Sequence, residues 1–241
     1  MTIRILEKWD LPSPVAEKNE WFGDWANRKP HEVSRHLTMG WHALQELRSL
    51  QDVQSVHESF GGIGAQALVA EKLWPTSHHT VRDFSMSAVM YLSENLPVRE
   101  GLEILGGSTY DPLNFVTADV QIADVGDLTA TRMNLFPYRA WLDHTFGSGA
   151  KAVVLTDIAG RLLHLHRVAY GTALGAKPVS NYPSYLVDVG NLVYKRYGYV
   201  ATKTFYHRWS AITVYEPWWE RYEGQELIPC PATPIGLEIL K

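Results

Sequence analysis

The sequence predicts an α/β fold: a doubly wound, mostly parallel seven-stranded sheet with helices on both faces and a C-terminal antiparallel hairpin. Three observations carry that expectation. Short apolar, β-branched runs alternate with segments of helical period, which implies strands joined by right-handed crossovers. Lys151 to Thr156 reads KAVVLT, a near-continuous apolar run of the kind a central parallel strand needs when both of its faces are covered. Two late β-rich runs, Tyr199 to His207 and Ala211 to Tyr215, are separated by a short link, which predicts the hairpin.

The elements follow in order. Residues 1 to about 29 read as irregular, with Pro12 and Pro14, and Trp9, Trp21, Phe22 and Trp25 clamp them onto the core. From Lys29 to Leu50 the apolar residues Val33, Leu37, Trp41, Leu44 and Leu47 recur at helical intervals, and Pro30 suits the first turn. Residues 1–52 are thus expected to pack, as an irregular segment plus a helix, on an α/β domain of residues 53–241, the two forming one structural unit. Within that domain Val53 to Ser59 is the first strand, Gly64 to Leu73 a helix, and His79 to Phe84 the second strand. Ser87 to Asn95 is helical and ends before Pro97. Asn114 to Ala118 is expected as the third strand and Asp127 to Arg132 as the fourth. Tyr138 to Phe146 is a helix that precedes the KAVVLT strand. Tyr182 to Tyr197 is the last helix, with Pro183 near its start and Gly198 after its end.

Composition narrows the functional classes. The chain has 241 residues, of which 46% are hydrophobic, enough to bury a full core. A net charge of -4 argues against strong general affinity for nucleic acid. Cys230 is the only cysteine, so an internal disulfide and a cysteine-only metal cluster are excluded. The segment MTIRILEKWDLPSP lacks the apolar core of a signal peptide, and no run approaches the roughly 18 apolar residues of a membrane span. The expectation is a soluble cytoplasmic protein without a membrane partner.

The segment Val56 to Ser85, VHESFGGIGAQALVAEKLWPTSHHTVRDFS, carries the most chemistry. An apolar approach ends in Glu58, a glycine cluster follows (Gly61, Gly62, Gly64), and the next strand ends in Asp83. Glycines at a strand-to-helix turn let the backbone turn tightly and approach a ligand, and an acid at the next strand's tip suits the two hydroxyls of a ribose. Gly62-Ile63-Gly64-Ala65-Gln66-Ala67 formally satisfies the dinucleotide fingerprint G-x-G-x-x-G/A, with Asp83 near the expected distance of roughly 20 residues. A nicotinamide-dependent oxidoreductase is therefore one reading. Glu58 speaks against it, because a carboxylate before the turn repels the pyrophosphate that a helix N-terminus would otherwise favour. A cationic nucleoside suits that carboxylate better.

Glu58-Ser59-Phe60-Gly61-Gly62-Ile63-Gly64 resembles motif I of the class I S-adenosylmethionine-dependent methyltransferases, an acid followed by G-x-G-x-G, with Phe60 standing where the first glycine would be. The resemblance spans residues 53 to 216 and includes the closing antiparallel hairpin. It implies S-adenosylmethionine as cofactor, with Glu58 orienting the methionyl ammonium and Phe60, Gly61, Gly62 and Gly64 lying against methionine and ribose. It further implies that Asp83 accepts from the ribose hydroxyls, that Phe84 packs on adenine, and that Asp119 and Val120, in VTADVQ, hold the adenine edge. Methyltransferases acting on nucleobase amines carry a (Asp/Asn)-Pro-Pro-(Tyr/Phe) loop after the fourth strand. Asn134, Pro137 and Tyr138 in RMNLFPYRAW resemble it, with one residue too many and the first proline missing.

The implied activity is methyl transfer to an acceptor that is a nucleobase or a small molecule. A methyltransferase-like scaffold without catalysis is the alternative, motivated by Phe60 and by the irregular loop. His164 and His166 form H-x-H and would share one face of a strand. No carboxylate or cysteine stands at ligand spacing beside them, so no metal site is expected, and one of them is a candidate general base. Trp218 and Trp219, with Tyr215 and Tyr222, form a late cluster suited to a core or a subunit contact.

Overall fold

The computed structural model describes residues 40, 42–62, 64–123, 135–158, 182–207, 210–218 and 237–239. Its strands are β1 (Ser55–Glu58), β2 (His78–Asp83), β3 (Leu102–Gly106), β4 (Val120–Ala123), β5 (Ala152–Ile158), β6 (Tyr199–His207), β7 (Ser210–Pro217) and β8 (Leu237–Ile239). They form one sheet in the order β3-β2-β1-β4-β5-β7-β6-β8. β1 through β5 pair in parallel, and β7 enters antiparallel to both β5 and β6. The expected mostly parallel sheet with its terminal hairpin is therefore present. β8, which the proline-bearing tail did not announce, pairs in parallel with β6 at the sheet's edge.

Register decides which side chains each face receives. Val56 pairs with Val120 and Val120 with Ala152, while Ile122 pairs with Val154 and Val154 with Val214. These residues form one core with Ala43 and Leu44 from the helix at 42–46 (α1), with Leu47 in the turn after it, and with Val69 and Ala70 from α2 (Ala65–Leu73). A second cluster, Ala67, Val81, Leu92 and Leu96, seats α3 (Met86–Asn95) on the outer strands. The other face is covered by α4 (Leu135–Gly147) and α5 (Tyr182–Tyr197). Phe146 of α4 packs edge-on against Tyr199 and Tyr215 at centroid distances of 5.3 and 5.5 Å. Tyr197 donates to Asp143 at 2.6 Å and Arg196 reaches the same carboxylate at 2.9 Å, which ties α5 to α4.

One strand expectation fails, for a physical reason. The third strand is Leu102–Gly106, framed by Gly101 at φ 83° and Gly107 at φ 111°. Residues 114–118 are not a strand. Asp111 caps a short 3-10 turn at Pro112–Asn114, and the Val116 carbonyl is taken by side chains, Gln121 Nε2 at 2.8 Å and His144 Nε2 at 3.2 Å. The expected fourth strand, 127–132, lies outside the described residues, and the fourth strand observed is Val120–Ala123.

Asp119 stands just before β4, at the N-terminal edge of the sheet. Its Oδ2 accepts from the amides of Gln54 at 2.6 Å and Ser55 at 3.1 Å, and Lys151 Nζ lies 3.7 Å from Oδ1. It therefore braces the start of β1. Charge-assisted bonds of this kind contribute about 1.5–3 kcal/mol, so Asp119→Ala should lose stability of that order in urea unfolding.

Two buried strand histidines make the fold acid-sensitive. His57 Nδ1 lies 2.7 Å from Thr80 Oγ1, and His79 Nε2 lies 3.1 Å from the Trp74 carbonyl. Burial, then the Arg82 guanidinium, pushes His57 down to about 3; burial, then Arg99 and His78, pushes His79 down to about 4. Both stay neutral in the folded chain while the unfolded chain protonates them near pH 6.5. Unfolding thus takes up protons below that pH. Stability is intact above pH 6.5 and falls by about 1.4 kcal/mol per pH unit for each histidine as the pH drops toward their folded values. His57→Asn and His79→Gln keep an amide nitrogen near the bonded ring nitrogen. Together they should flatten the melting-temperature profile between pH 6.5 and 4; an unchanged profile would place the acid sensitivity elsewhere.

Candidate functional site

Strand order reverses at β1: its neighbour β2 leads outward on one side, and β4 leads outward on the other. In open α/β sheets a crevice for ligands forms at such a point, beyond the carboxyl ends of the strands. At that edge β1 ends in Glu58, β2 in Asp83, β3 in Gly106 and β4 in Ala123. Glu58 pairs with Val81, two residues before Asp83, so both carboxylates belong to the sheet face that α2 and α3 cover. They are 2% and 7% exposed.

The glycine turn is strapped across this edge. Ser59 donates to the Ile122 carbonyl at 2.9 Å and Gly61 to the Arg82 carbonyl at 2.8 Å, so the turn begins tied to both neighbouring strands. Gly62 then donates to Asp83 Oδ2 at 3.0 Å, and Ser85 donates to Oδ1 at 2.9 Å. The Asp83 carboxylate is thereby fixed in rotation by main-chain donors. A carboxylate offers about four acceptor positions, and these amides each take one, on different oxygens.

Packing demands two of the glycines. A Cβ on Gly61 would stand 2.5 Å from Val81 Cγ1, and one on Gly64, at φ 76°, would stand 2.8 Å from Leu96 and 2.9 Å from Leu92. The turn is tight because α2 and α3 pack closely behind it. Gly107 donates to the Asp83 carbonyl at 3.1 Å, and Arg82 Nη1 donates to the Gly106 carbonyl at 2.7 Å, which anchors the end of β3 to β2. Burial works against the Arg82 charge and lowers its pKa, partly offset by Glu103 and Asp111.

Aromatic rings flank the other half of the crevice. Phe60 packs on Tyr110 at 5.7 Å and on Trp141 of α4 at 5.5 Å, and Tyr110 meets Trp141 at 6.1 Å. Thr109 Oγ1 donates to the Ser59 carbonyl, which pins the connection from β3 to β4 over the glycine turn. Behind the rings lies a narrow polar crevice lined by His57, Ser59, Thr109, Gln121 and His144. His144 stacks on Phe115 at 4.7 Å.

The residues singled out from sequence divide clearly. Glu58, Phe60, Gly61, Gly62, Gly64, Asp83 and Phe84 are brought together, and Phe84 stands 49% exposed directly beyond β2. Asp119 and Val120 are not at this edge. The first braces the opposite end of the sheet, and the second is a fully buried core residue at the start of β4. That correction follows from the strand shift: the segment at the end of β3 is Gly106 to Tyr110, and the doublet Gly106-Gly107 after the apolar LEIL was the signal for it. Asn134 lies outside the described residues. Pro137 and Tyr138 fall in the first turn of α4, their side chains also outside, so they belong to a helix start rather than to a strand-end loop. His164, His166, Trp219 and Tyr222 lie outside as well. Among the described residues, no group of three or more His, Cys, Asp or Glu is placed to hold a metal ion, and no helix is long and apolar enough to cross a membrane.

No protein-family model and no curated protein matches the sequence. Solved structures do match the fold. Human N-acetylserotonin methyltransferase, in complex with S-adenosylmethionine, superposes with a TM-score of 0.51 at 14% identity, over 89% of this chain and 62% of that one. The chain thus spans less than two thirds of the human enzyme. Magnesium protoporphyrin IX methyltransferase from Synechocystis PCC 6803 matches at a TM-score of 0.48 and 12% identity, over 76% of this chain and 82% of that one. The sheet order, the single antiparallel β7 and the superposition agree: this chain has the fold of the class I S-adenosylmethionine-dependent methyltransferases.

Proposed function

We propose that the protein is a methyltransferase that takes its methyl group from S-adenosylmethionine. The observation that carries the reading is the Asp83 carboxylate, held by the Gly62 and Ser85 amides beside the buried Glu58 at the switch point of the sheet. The residues present fit this cofactor by their chemistry. Asp83 offers acceptors for a ribose diol, the exposed ring of Phe84 beside it offers a flat apolar surface for the base, and Glu58 supplies negative charge for the cationic end. A pyrophosphate-bearing dinucleotide would meet that same charge. Gly106 and Gly107, at the end of β3, take the adenine-edge role expected of Asp119 and Val120.

When bound, the cofactor supplies an electrophilic methyl group, so the chain needs no nucleophile of its own. What its residues contribute is orientation and the exclusion of water, which suffice for much of an in-line displacement. The acceptor is a nucleobase or a small molecule, and Asn134, Pro137 and Tyr138 are the residues of the sequence that are candidates to contact it.

S-adenosylmethionine or its demethylated product should raise the melting temperature, and NAD should not, because only a ligand of the native state stabilises it by mass action. Calorimetric titration that finds neither sulfur nucleoside bound at millimolar concentration would sink the proposal. Asp83→Ala should weaken binding by about 10- to 150-fold, the equivalent of roughly 1.5–3 kcal/mol for a lost charge-assisted bond. Asp119→Ala, at the opposite edge, should bind as the parent does. Equal affinities in all three folded proteins would remove Asp83 from the site. Cofactor binding without transfer of labelled methyl to DNA, RNA, protein or metabolite pools would favour the non-catalytic scaffold.

A further inference from the structure

The crevice has two chemically different halves. Around Asp83 and Phe84, at the ends of β2 and β3, it is built of carboxylates and main-chain donors. Around the ends of β1 and β4 it is built of rings. Phe60 leaves the edge over the end of β1, since Ser59 bonds to Ile122 of β4 and Gly61 to Arg82 of β2. Its ring stands against Tyr110 and Trp141. Trp141 is only 2% exposed and backs the cluster, whereas Phe60 and Tyr110 are half-buried and keep surface toward the outside. The Tyr110 hydroxyl is itself buried, so the surface this residue presents is not its polar tip. Phe60 and Tyr110 are tilted at 54° to each other, so together they present two differently angled ring surfaces.

We infer that Phe60 and Tyr110 form a seat for the methyl acceptor, and that the acceptor is a small molecule with a planar aromatic ring system. The inference rests on the methyltransferase reading, which puts the nucleoside over β2 and β3 and leaves the β1 and β4 side for the acceptor. Aromatic rings reward a flat π partner beyond the area it buries, by edge-to-face and offset contacts. A net charge of -4 and the two carboxylates of the same crevice select against a base carried on a polyanion. In the transfer itself, the acceptor's heteroatom donates a lone pair to form the new bond to the methyl carbon. The carbon–sulfur bond breaks with its electrons to sulfur, and the acceptor's proton passes to solvent.

The test uses a matched pair of probes, 2-naphthol and decahydro-2-naphthol, which share a hydroxyl and a bicyclic frame but differ in their π faces. Calorimetry first establishes binding of the demethylated cofactor; if that fails, the methyltransferase reading fails by itself. With the cofactor product bound, 2-naphthol should bind about tenfold more tightly than the saturated probe, the scale expected of two ring contacts. With the cofactor product held saturating, Phe60→Leu and Tyr110→Leu should each reduce that preference severalfold. Two variants guard against one that does not fold. Equal affinity for the two probes, or an unchanged preference in both folded variants, would overturn the seat. Labelled methyl appearing only in oligonucleotides, or only in aliphatic acceptors, would overturn the acceptor class.

Discussion

The whole arrangement depends on β1 being held in parallel register between two strands that depart in opposite directions. Four residues, Ser55 to Glu58, make that strand, and three of them are buried. Asp119 fixes its start by accepting from the amides of Gln54 and Ser55, and Ser59 extends its pairing past its end by donating to Ile122. A one-residue slip would exchange the faces of the strand. Val56 would leave the core it shares with Val120 and Leu44, and Glu58 would move to the face of His57 and Gln121. The buried carboxylate and the glycine turn after it are thus placed by bonds at both ends of a very short strand.

Given that placement, the glycines have a packing explanation of their own. Gly61 is pressed on Val81, and Gly64 on Leu92 and Leu96, so a side chain at either would push α3 away from the sheet. The same close approach brings the Gly62 amide within hydrogen-bonding distance of Asp83. Packing and ligand chemistry are therefore coupled here. The helix contact that excludes a side chain also sets the donor that fixes the carboxylate.

Local signals made much of this legible. The helix Tyr182–Tyr197 has the bounds its punctuation implies, with Pro183 in its first turn and Gly198, at φ 75°, after its end. Glu58, the glycine turn and Asp83 were readable because they lie on consecutive elements. The β3 strand was not, because LEILG is a short, half-exposed edge strand framed by glycines that also suit a loop. Residues 114–118 looked more strand-like, yet the Val116 carbonyl goes to the side chains of Gln121 and His144 instead of a neighbouring strand. That one-strand shift carried Asp119 and Val120 to the wrong edge. The ring cluster was unreadable for a different reason: Phe60, Tyr110 and Trp141 meet only through the tertiary fold, and no local period links them.

Phe60 stood out in the sequence as a departure from a glycine pattern, and the structure gives the reason it is tolerated. The turn does not need a glycine there for its hydrogen bonds, since Ser59 and Gly61 hold it on either side through main-chain donors. The residue has no positive φ, unlike Gly62 and Gly64. Its ring is accommodated because the connection from β3 to β4 carries only a short 3-10 turn, which leaves Tyr110 free to fold back over the turn, pinned by Thr109 to Ser59. A full helix in that connection would draw the chain away along the sheet face instead. The side chain at position 60 is therefore separable from the turn that positions Asp83. The ring can set what lies over β1 and β4 without disturbing the carboxylate at the end of β2.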